Sequence, residues 1–179
     1  MSTKAASEVA GDRSDSQIFT GRDFRDAVGA FATGINVITT RSGDVGYGMT
    51  ANAFSSVSLD PPLILICVAL TSEGSEVIRG SGVFAVNVLS ADQEPLSRFF
   101  ASKDRPRGRD AFRGVDHHEA ITGSPLLDGA AANMDCRLAD THEAGDHLIF
   151  IGEVLALEVE AETQPLLFHG GSYGLLKRV

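Results

Sequence analysis

The run Gly46–Pro62, GYGMTANAFSSVSLDPP, gathers four hydroxyls (Thr50, Ser55, Ser56, Ser58), one amide (Asn52) and several very small residues. It leads directly into the apolar stretch Leu63–Ala69. Small residues let a flat ligand approach the backbone closely. Hydroxyls, amides and free N–H groups then bind carbonyl and phosphate oxygens without carrying charge themselves. A flavin ring with its phosphate tail needs a surface of this kind. A Ser/Thr-rich loop that only turns a corner has the same composition, so on side-chain chemistry alone both readings stand.

The histidines offer a second set of candidates. His117 and His118 are adjacent, so on a strand they point to opposite sides and cannot readily share a metal. His142 and His147 flank Glu143 and Asp146. A carboxylate–histidine metal site is conceivable there, but a turn at Gly145 explains the same polar cluster, and no metal is assigned. No G-x-G-x-x-G follows a strand pattern, so a Rossmann dinucleotide site is not supported. No nucleophile triad or carboxylate pair stands out. Cys67 and Cys136 sit in apolar strand patterns and read as reduced core residues. The basic loop Lys103–Arg109 reads either as a solvated run or as a phosphate contact.

Composition narrows the setting of these groups. The 179 residues fit one domain with a full core. At 43% hydrophobic and 22% charged the chain reads as an ordinary soluble globular protein. A formal net charge of −9 argues against nucleic acid or an anionic membrane as the main partner. No apolar run approaches the roughly 20 residues needed to span a bilayer. The polar start MSTKAASEVAGDRSDSQ lacks the apolar core of a signal peptide. A cytoplasmic location is expected.

The elements that must position these groups follow from periodicity. Residues 1–17 read as a disordered tail and 18–179 as a single domain. Thr20 with Asp23 resembles a capping box. Phe24, Ala27, Val28 and Phe31 recur at helical spacing, and Gly34 closes the segment. Ile35–Arg41 alternates as a strand, and Ser42–Gly46 reads as a hairpin loop. Leu63–Ala69 is a continuous apolar run consistent with a strand buried on both sides. Ser75–Gly80 is predicted as a short helix, Val83–Leu89 as a strand, and Asp92–Ala101 as a helix carrying Leu96, Phe99 and Phe100. Ala132, Met134, Cys136 and Leu138 face one way while Asn133, Asp135 and Arg137 face the other. His147–Glu160 forms a long strand, apolar on both faces, which suits a barrel covered outside by helices or by a second subunit. Pro165–Leu176 forms a final strand pair turning at Gly170–Gly171. Six or seven strands with two or three short helices predict a mainly β, small antiparallel barrel.

Six collinear blocks make the reading more specific: FRDAVGAFATGINVITT, GMTANAFSSVSLDPPLILICV, FAVNVLSADQEPLSRFFA, GSPLLDGAAANMDC, GDHLIFIGEV and PLLFHGGSYGLL. In order and spacing they resemble the flavin reductase-like family, the short-chain reductases of two-component flavin monooxygenases, over roughly Phe19 to Leu176. The resemblance implies an antiparallel split β-barrel (the FMN-binding split barrel) with a few short flanking helices, assembled as a homodimer with a flavin near the interface. It implies transfer of a hydride from NADH or NADPH to FMN or FAD, and delivery of diffusible reduced flavin to a separate monooxygenase. Two alternatives are a protein of the same fold that keeps its flavin and acts on another small molecule, and a non-catalytic flavin-binding protein.

Site residues carry over by position. Thr50, Ala51, Asn52, Ser55 and Ser56 match the segment lining the isoalloxazine and ribityl chain. Cys67 and Val68 match the strand whose backbone passes along the flavin. Ser72 and Ser75 fall where phosphate-binding hydroxyls are placed, and Phe99 and Phe100 match aromatics in a helix beside the cofactor. His147 matches a histidine near the nicotinamide and is the one catalytic candidate. Tyr173 matches an aromatic at the mouth of the pocket. The chain departs from the pattern at Ala69–Ser72 and at Ala111, where the family often has a basic residue before the phenylalanine. Arg109, or another member of Lys103–Arg109, is expected to supply that charge.

Overall fold

The structure is a computed structural model that describes residues 18–177. The predicted tail, residues 1–17, lies outside the described residues. The first helix, α1 (Gly21–Gly29), starts where the sequence says it must. The Asp23 N–H donates to the Thr20 hydroxyl at 3.2 Å, and the Thr20 N–H donates to the Asp23 carboxylate at 2.7 Å, closing the capping box. The apolar stripe behaves differently from a core stripe. α1 buries none of its residues, and Phe24 and Val28 remain 56% and 52% exposed.

The chain then alternates strands and helices: β1 (Thr33–Gly34), β2 (Asn36–Ser42), β3 (Val45–Ala51), β4 (Phe54–Leu59), β5 (Pro62–Ala69), α2 (Glu73–Ser81), β6 (Val83–Val88) and α3 (Glu94–Ala101). A single 3₁₀ turn, Gly108–Asp110, interrupts the basic loop. The second half holds β7 (His117–Glu119), β8 (Pro125–Leu127), β9 (Ala132–Ala144), β10 (His147–Val159), β11 (Leu166–His169) and β12 (Ser172–Leu175). The predicted hairpin between β2 and β3 turns on Gly43–Asp44, with Gly43 at φ +59°, a conformation that favours glycine.

Seven strands form one antiparallel sheet in the order β3-β2-β6-β9-β10-β5-β4. Its two edge strands, β3 and β4, are consecutive in sequence and joined by Asn52–Ala53 alone. A sheet whose edges are tied by a dipeptide must roll until those edges meet there. The result is a split barrel, closed by the covalent chain at that seam rather than by a ladder of hydrogen bonds. A three-stranded sheet, β1-β11-β12, covers one flank.

One core fills the barrel, with Ile38, Ile66, Phe84 and Phe150 packed on Ile78 of α2. A second lies between the sheet, α3 and the flanking strands, and holds Val37, Leu89, Phe100, Leu127 and Leu166. The expectation for Leu63–Ala69 needs correcting. Burial alternates along β5, with Ile64, Ile66 and Val68 inside and Leu63, Leu65 and Cys67 only half-buried. The reason is position: β5 lies next to the edge strand β4, whose outer face is open. β10 alternates likewise and then emerges, leaving Leu157 and Val159 65% and 72% exposed. On β9 the polar face is also buried near its start. Asn133 donates to Asn87 Oδ1 at 2.8 Å, Asn87 donates to the Val37 carbonyl at 2.9 Å, and Asp135 accepts from the Thr122 N–H at 2.8 Å. These bonds satisfy groups that would otherwise destabilise the fold.

Candidate functional site

The barrel seam opens into a cleft of about 1270 Å³. Its inner walls are Thr33 of β1, the seam itself (Asn52, Ala53, Phe54) and His147 at the start of β10. Phe168 of β11 and the Gly170–Gly171 turn form its floor, and α1 contributes Arg22, Arg25, Asp26, Val28 and Gly29 as the outer wall. The hairpin turn sets that wall in place: the Gly170 N–H donates to the Gly29 carbonyl at 2.9 Å, and an added Cβ at Gly29 would sit 3.9 Å from the Gly170 Cα.

Three polar residues stand on the inner walls. Asn52 is exposed on its wall. Thr33 Oγ1 is buried with no hydrogen-bond partner among the described residues. A buried hydroxyl without a partner is costly, so its presence in a cleft wall points to a ligand acceptor or donor. His147 Nδ1 lies 2.7 Å from Asp146 Oδ1. With its N–H donated to that carboxylate, Nε2 is left as the acceptor nitrogen. The same hydrogen bond holds the Asp146 carboxyl below its ordinary value.

The other expected site residues divide into supports and outliers. Thr50 donates to the Ser97 carbonyl at 2.6 Å, and Ser97 Oγ lies 2.9 Å from Tyr173 Oη. Tyr173 meets the cleft-lining Phe168 edge-on at 5.4 Å between centroids, with the Arg98 guanidinium 4.7 Å above its ring. Thr50 and Tyr173 therefore brace the floor from behind. Phe99 packs against the same flank, and Phe100 is buried under Gly48, where a Cβ would fall 2.5 Å from its ring. Ala51 and Val68 pack into the barrel core. Cys67 is half-buried, its thiol pushed up by burial, and its N–H donates to the Ala53 carbonyl at 3.2 Å. Cys136 is buried, and burial pushes its thiol up to about 12. Ser55 and Ser56 lie exposed on the edge strand β4, where the Ser55 hydroxyl donates to the Ser56 carbonyl at 3.1 Å.

The hydroxyls expected near phosphate sit at the start of α2. Ser72 accepts from the Gly74 N–H at 3.2 Å and caps the helix, and Ser75, in its first turn, donates back to the Ser72 carbonyl at 2.7 Å. Beyond them, a smaller cavity of about 210 Å³ is lined by Tyr47, Glu73, Arg105, Arg107 and Ala111. Arg105 donates to Tyr47 Oη at 3.1 Å, and Arg107 pairs with Glu73 at 3.2 Å. Arg109 faces a different cavity of about 410 Å³, with Arg41, Arg113 and His117. The loop arginines that share a cavity with Ala111 are thus Arg105 and Arg107. Among the described residues no cluster of three or more His, Cys, Asp or Glu side chains is placed to hold a metal. His142 pairs with Asp140 at 3.1 Å.

The cleft therefore unites Asn52 and His147 from the sequence reading. It adds Thr33, Phe168, Arg22 and Arg25, which that reading missed. Thr33 and Phe168 fall in short strands of a flanking sheet, and nothing local marks them as facing the seam.

Comparison with known proteins places these features among relatives. The profile of the flavin reductase like domain matches residues 28–177. The chain is 40% identical over 168 residues to the reductase subunit HsaB of a flavin-dependent monooxygenase from Rhodococcus jostii, covering 93% of this chain and 84% of that protein. It is 42% identical over 157 residues to the NADH-dependent FMN reductase SmoA of Agrobacterium fabrum, covering 88% and 87%. The solved structure of the NADH:FAD oxidoreductase SgcE6 of Streptomyces globisporus superposes with a TM-score of 0.83 at 38% identity, covering 98% of this chain and 100% of that one.

Proposed function

The chain belongs to the flavin reductase-like family, and we propose that its seam cleft is where it carries out that chemistry. It is an NAD(P)H:flavin oxidoreductase that reduces FMN or FAD and supplies the reduced flavin to a separate monooxygenase. The observation that carries the assignment to this cleft is that Thr33, whose buried hydroxyl has no partner among the described residues, lines the same space as Asn52 and His147.

The chemistry a flavin supplies when bound is acceptance at N5 of a hydride from nicotinamide C4. The protein's part is binding and orientation. Asn52 and the Thr33 hydroxyl offer a donor and acceptors to ring carbonyl and nitrogen atoms. Phe168, braced by Tyr173 and Thr50, gives an apolar floor for a planar ring. His147 Nε2, fixed by the Asp146 hydrogen bond, accepts from a carboxamide N–H or holds a proton beside the reacting rings. Arg105 and Arg107 offer positive charge near Ala111, where the flavin phosphate is expected.

Residues 18–179 act as one domain in this reading. A homodimer is proposed from the exposed apolar groups Phe24, Val28 and Phe31 beside the cleft and Leu157 and Val159 at the end of β10. At roughly 25 cal/mol per Å² of apolar surface, covering them with a second copy is the simplest way to remove them from water. A dimer mass by light scattering at micromolar concentration is expected, and a monomer mass refutes it. Among the described residues no helix is long and apolar enough to cross a membrane, and a cytoplasmic location is proposed.

The deciding experiment is steady-state oxidation of NADH and NADPH with FMN, FAD and riboflavin in turn. Colourless protein with oxidation that depends on added flavin supports a diffusible-flavin reductase. Yellow protein that needs no added flavin, or protein with no oxidation at all, refutes it.

A further inference from the structure

Of the α1 residues that line the cleft, Arg22, Arg25, Asp26 and Gly29 are spaced at i, i+3, i+4 and i+7 along one face, with Val28 beside them. Arg22 is tied to Asp26 of its own helix at 3.9 Å. Arg25 has no ion pair among the described residues. The helix thus presents a cationic face, only partly neutralised, to the cleft of a chain whose formal net charge is −9. α1 buries none of its residues and forms the outer wall, whereas Thr33 and Asn52 stand on the inner walls.

We infer that Arg25, with Arg22 beside it, anchors the pyrophosphate of the dinucleotide co-substrate. The inference rests on the flavin reductase reading. If Thr33 and Asn52 hold the flavin ring against the inner walls, the nicotinamide must stack on the face left open, toward α1. Its pyrophosphate then lies where a dianion meets the two guanidinium groups. An arginine fork matches phosphate oxygens in pairs. The local positive charge also offsets the repulsion that an acidic protein exerts on a polyanionic substrate. Arg25 is a binding residue here and takes no part in hydride transfer.

The test compares Arg25→Gln and Arg25→Lys with wild type, using NADH and the uncharged donor 1-methyl-1,4-dihydronicotinamide. One charge-assisted contact at an exposed site predicts that Arg25→Gln raises the KM for NADH about tenfold, with kcat little changed. Arg25→Lys should recover part of the loss. With the uncharged donor, variant and wild type should behave alike, because there is no phosphate to lose. Affinity for FMN and for riboflavin, read by fluorescence quenching, should not move. An unchanged KM for NADH overturns the inference. So does an equal loss with the uncharged donor, which would make Arg25 structural. A fall in FMN affinity without one for riboflavin overturns it too, by assigning Arg25 to the flavin phosphate. Failure of the underlying reading shows separately, as wild-type protein that oxidises neither donor with any flavin.

Discussion

Replacing His147 by alanine separates a working cleft from a solvated strand end. In the structure the imidazole is 45% exposed on the cleft wall, with Nδ1 held 2.7 Å from a carboxylate that is itself 95% exposed. The ring is therefore oriented but not dry. A group in that setting contributes a net hydrogen bond of about 0.5–1.5 kcal/mol, or roughly 2- to 13-fold in KM or rate. Full general acid–base catalysis, about 10²–10⁴-fold, would require a site from which water is better excluded. His147→Ala should thus slow flavin reduction or raise the KM for NADH within the lower range, while flavin affinity changes little. Asp146→Asn keeps the geometry and removes only the anion that fixes the tautomer, so its effect should be in the same direction and smaller. Stopped-flow reduction of flavin by NADH, across about pH 6–8, measures both. Rates and pH profiles identical to wild type would refute the reasoning and return His147 to the surface. A loss of flavin affinity as large as the loss of rate would also refute it, because the ring would then be serving the flavin and not the hydride donor.

Asn52→Leu should weaken flavin binding by about 1–3 kcal/mol, roughly 5- to 150-fold, with no change in Tm because the side chain is exposed; fluorescence titration and thermal melting check the two halves. Gly48→Ala would place a Cβ 2.5 Å from the ring of Phe100, which is only 1% exposed, so overpacking should cost about 1–3 kcal/mol and lower Tm by roughly 2–4 °C per kcal/mol in a calorimetric scan. His118 Nδ1 donates to Asp128 at 2.7 Å and Nε2 lies 3.1 Å from Glu158, and the Asp128 hydrogen bond, helped by Glu158, raises the imidazole above its ordinary 6.5. A raised histidine stabilises the fold below its unfolded value and loses that contribution as pH climbs through the folded one. His118→Gln should therefore be less stable than wild type near pH 6 and converge with it near pH 9 in urea titrations. The difference should be small, since the pair is largely solvated.

Much of this molecule is written locally. Thr20 and Asp23 announce the start of α1 because a capping box needs only residues three apart. The apolar runs Val83–Leu89 and from His147 are strands in the structure as in the sequence reading, because a run of apolar and β-branched residues is a local signal. The small residues of Gly46–Pro62 do supply Asn52 and Ala53 to the cleft. Hydroxyl count was a poorer guide. Thr50, Ser72 and Ser75 spend their hydroxyls on backbone carbonyls or helix capping, and no spacing rule distinguishes a hydroxyl that braces from one that binds.

The order of the large sheet decided the rest. Its edges, β3 and β4, are neighbours in sequence and farthest apart in pairing, so the barrel can close only at Asn52–Ala53. That closure carries the start of β10, the flanking strand β1 and the hairpin of β11 and β12 to one place. It unites Thr33, Asn52, His147 and Phe168 across more than a hundred residues of chain. It likewise sends Arg109 to a separate cavity and leaves Arg105 and Arg107 beside Ala111. The sequence by itself determined the longer strands, the helix cap, the turn glycines and the family, whereas β1, β4, β7 and β8 went unread. Which side chains share the cleft depended on long-range strand pairing, a property of the whole sheet that no local pattern encodes.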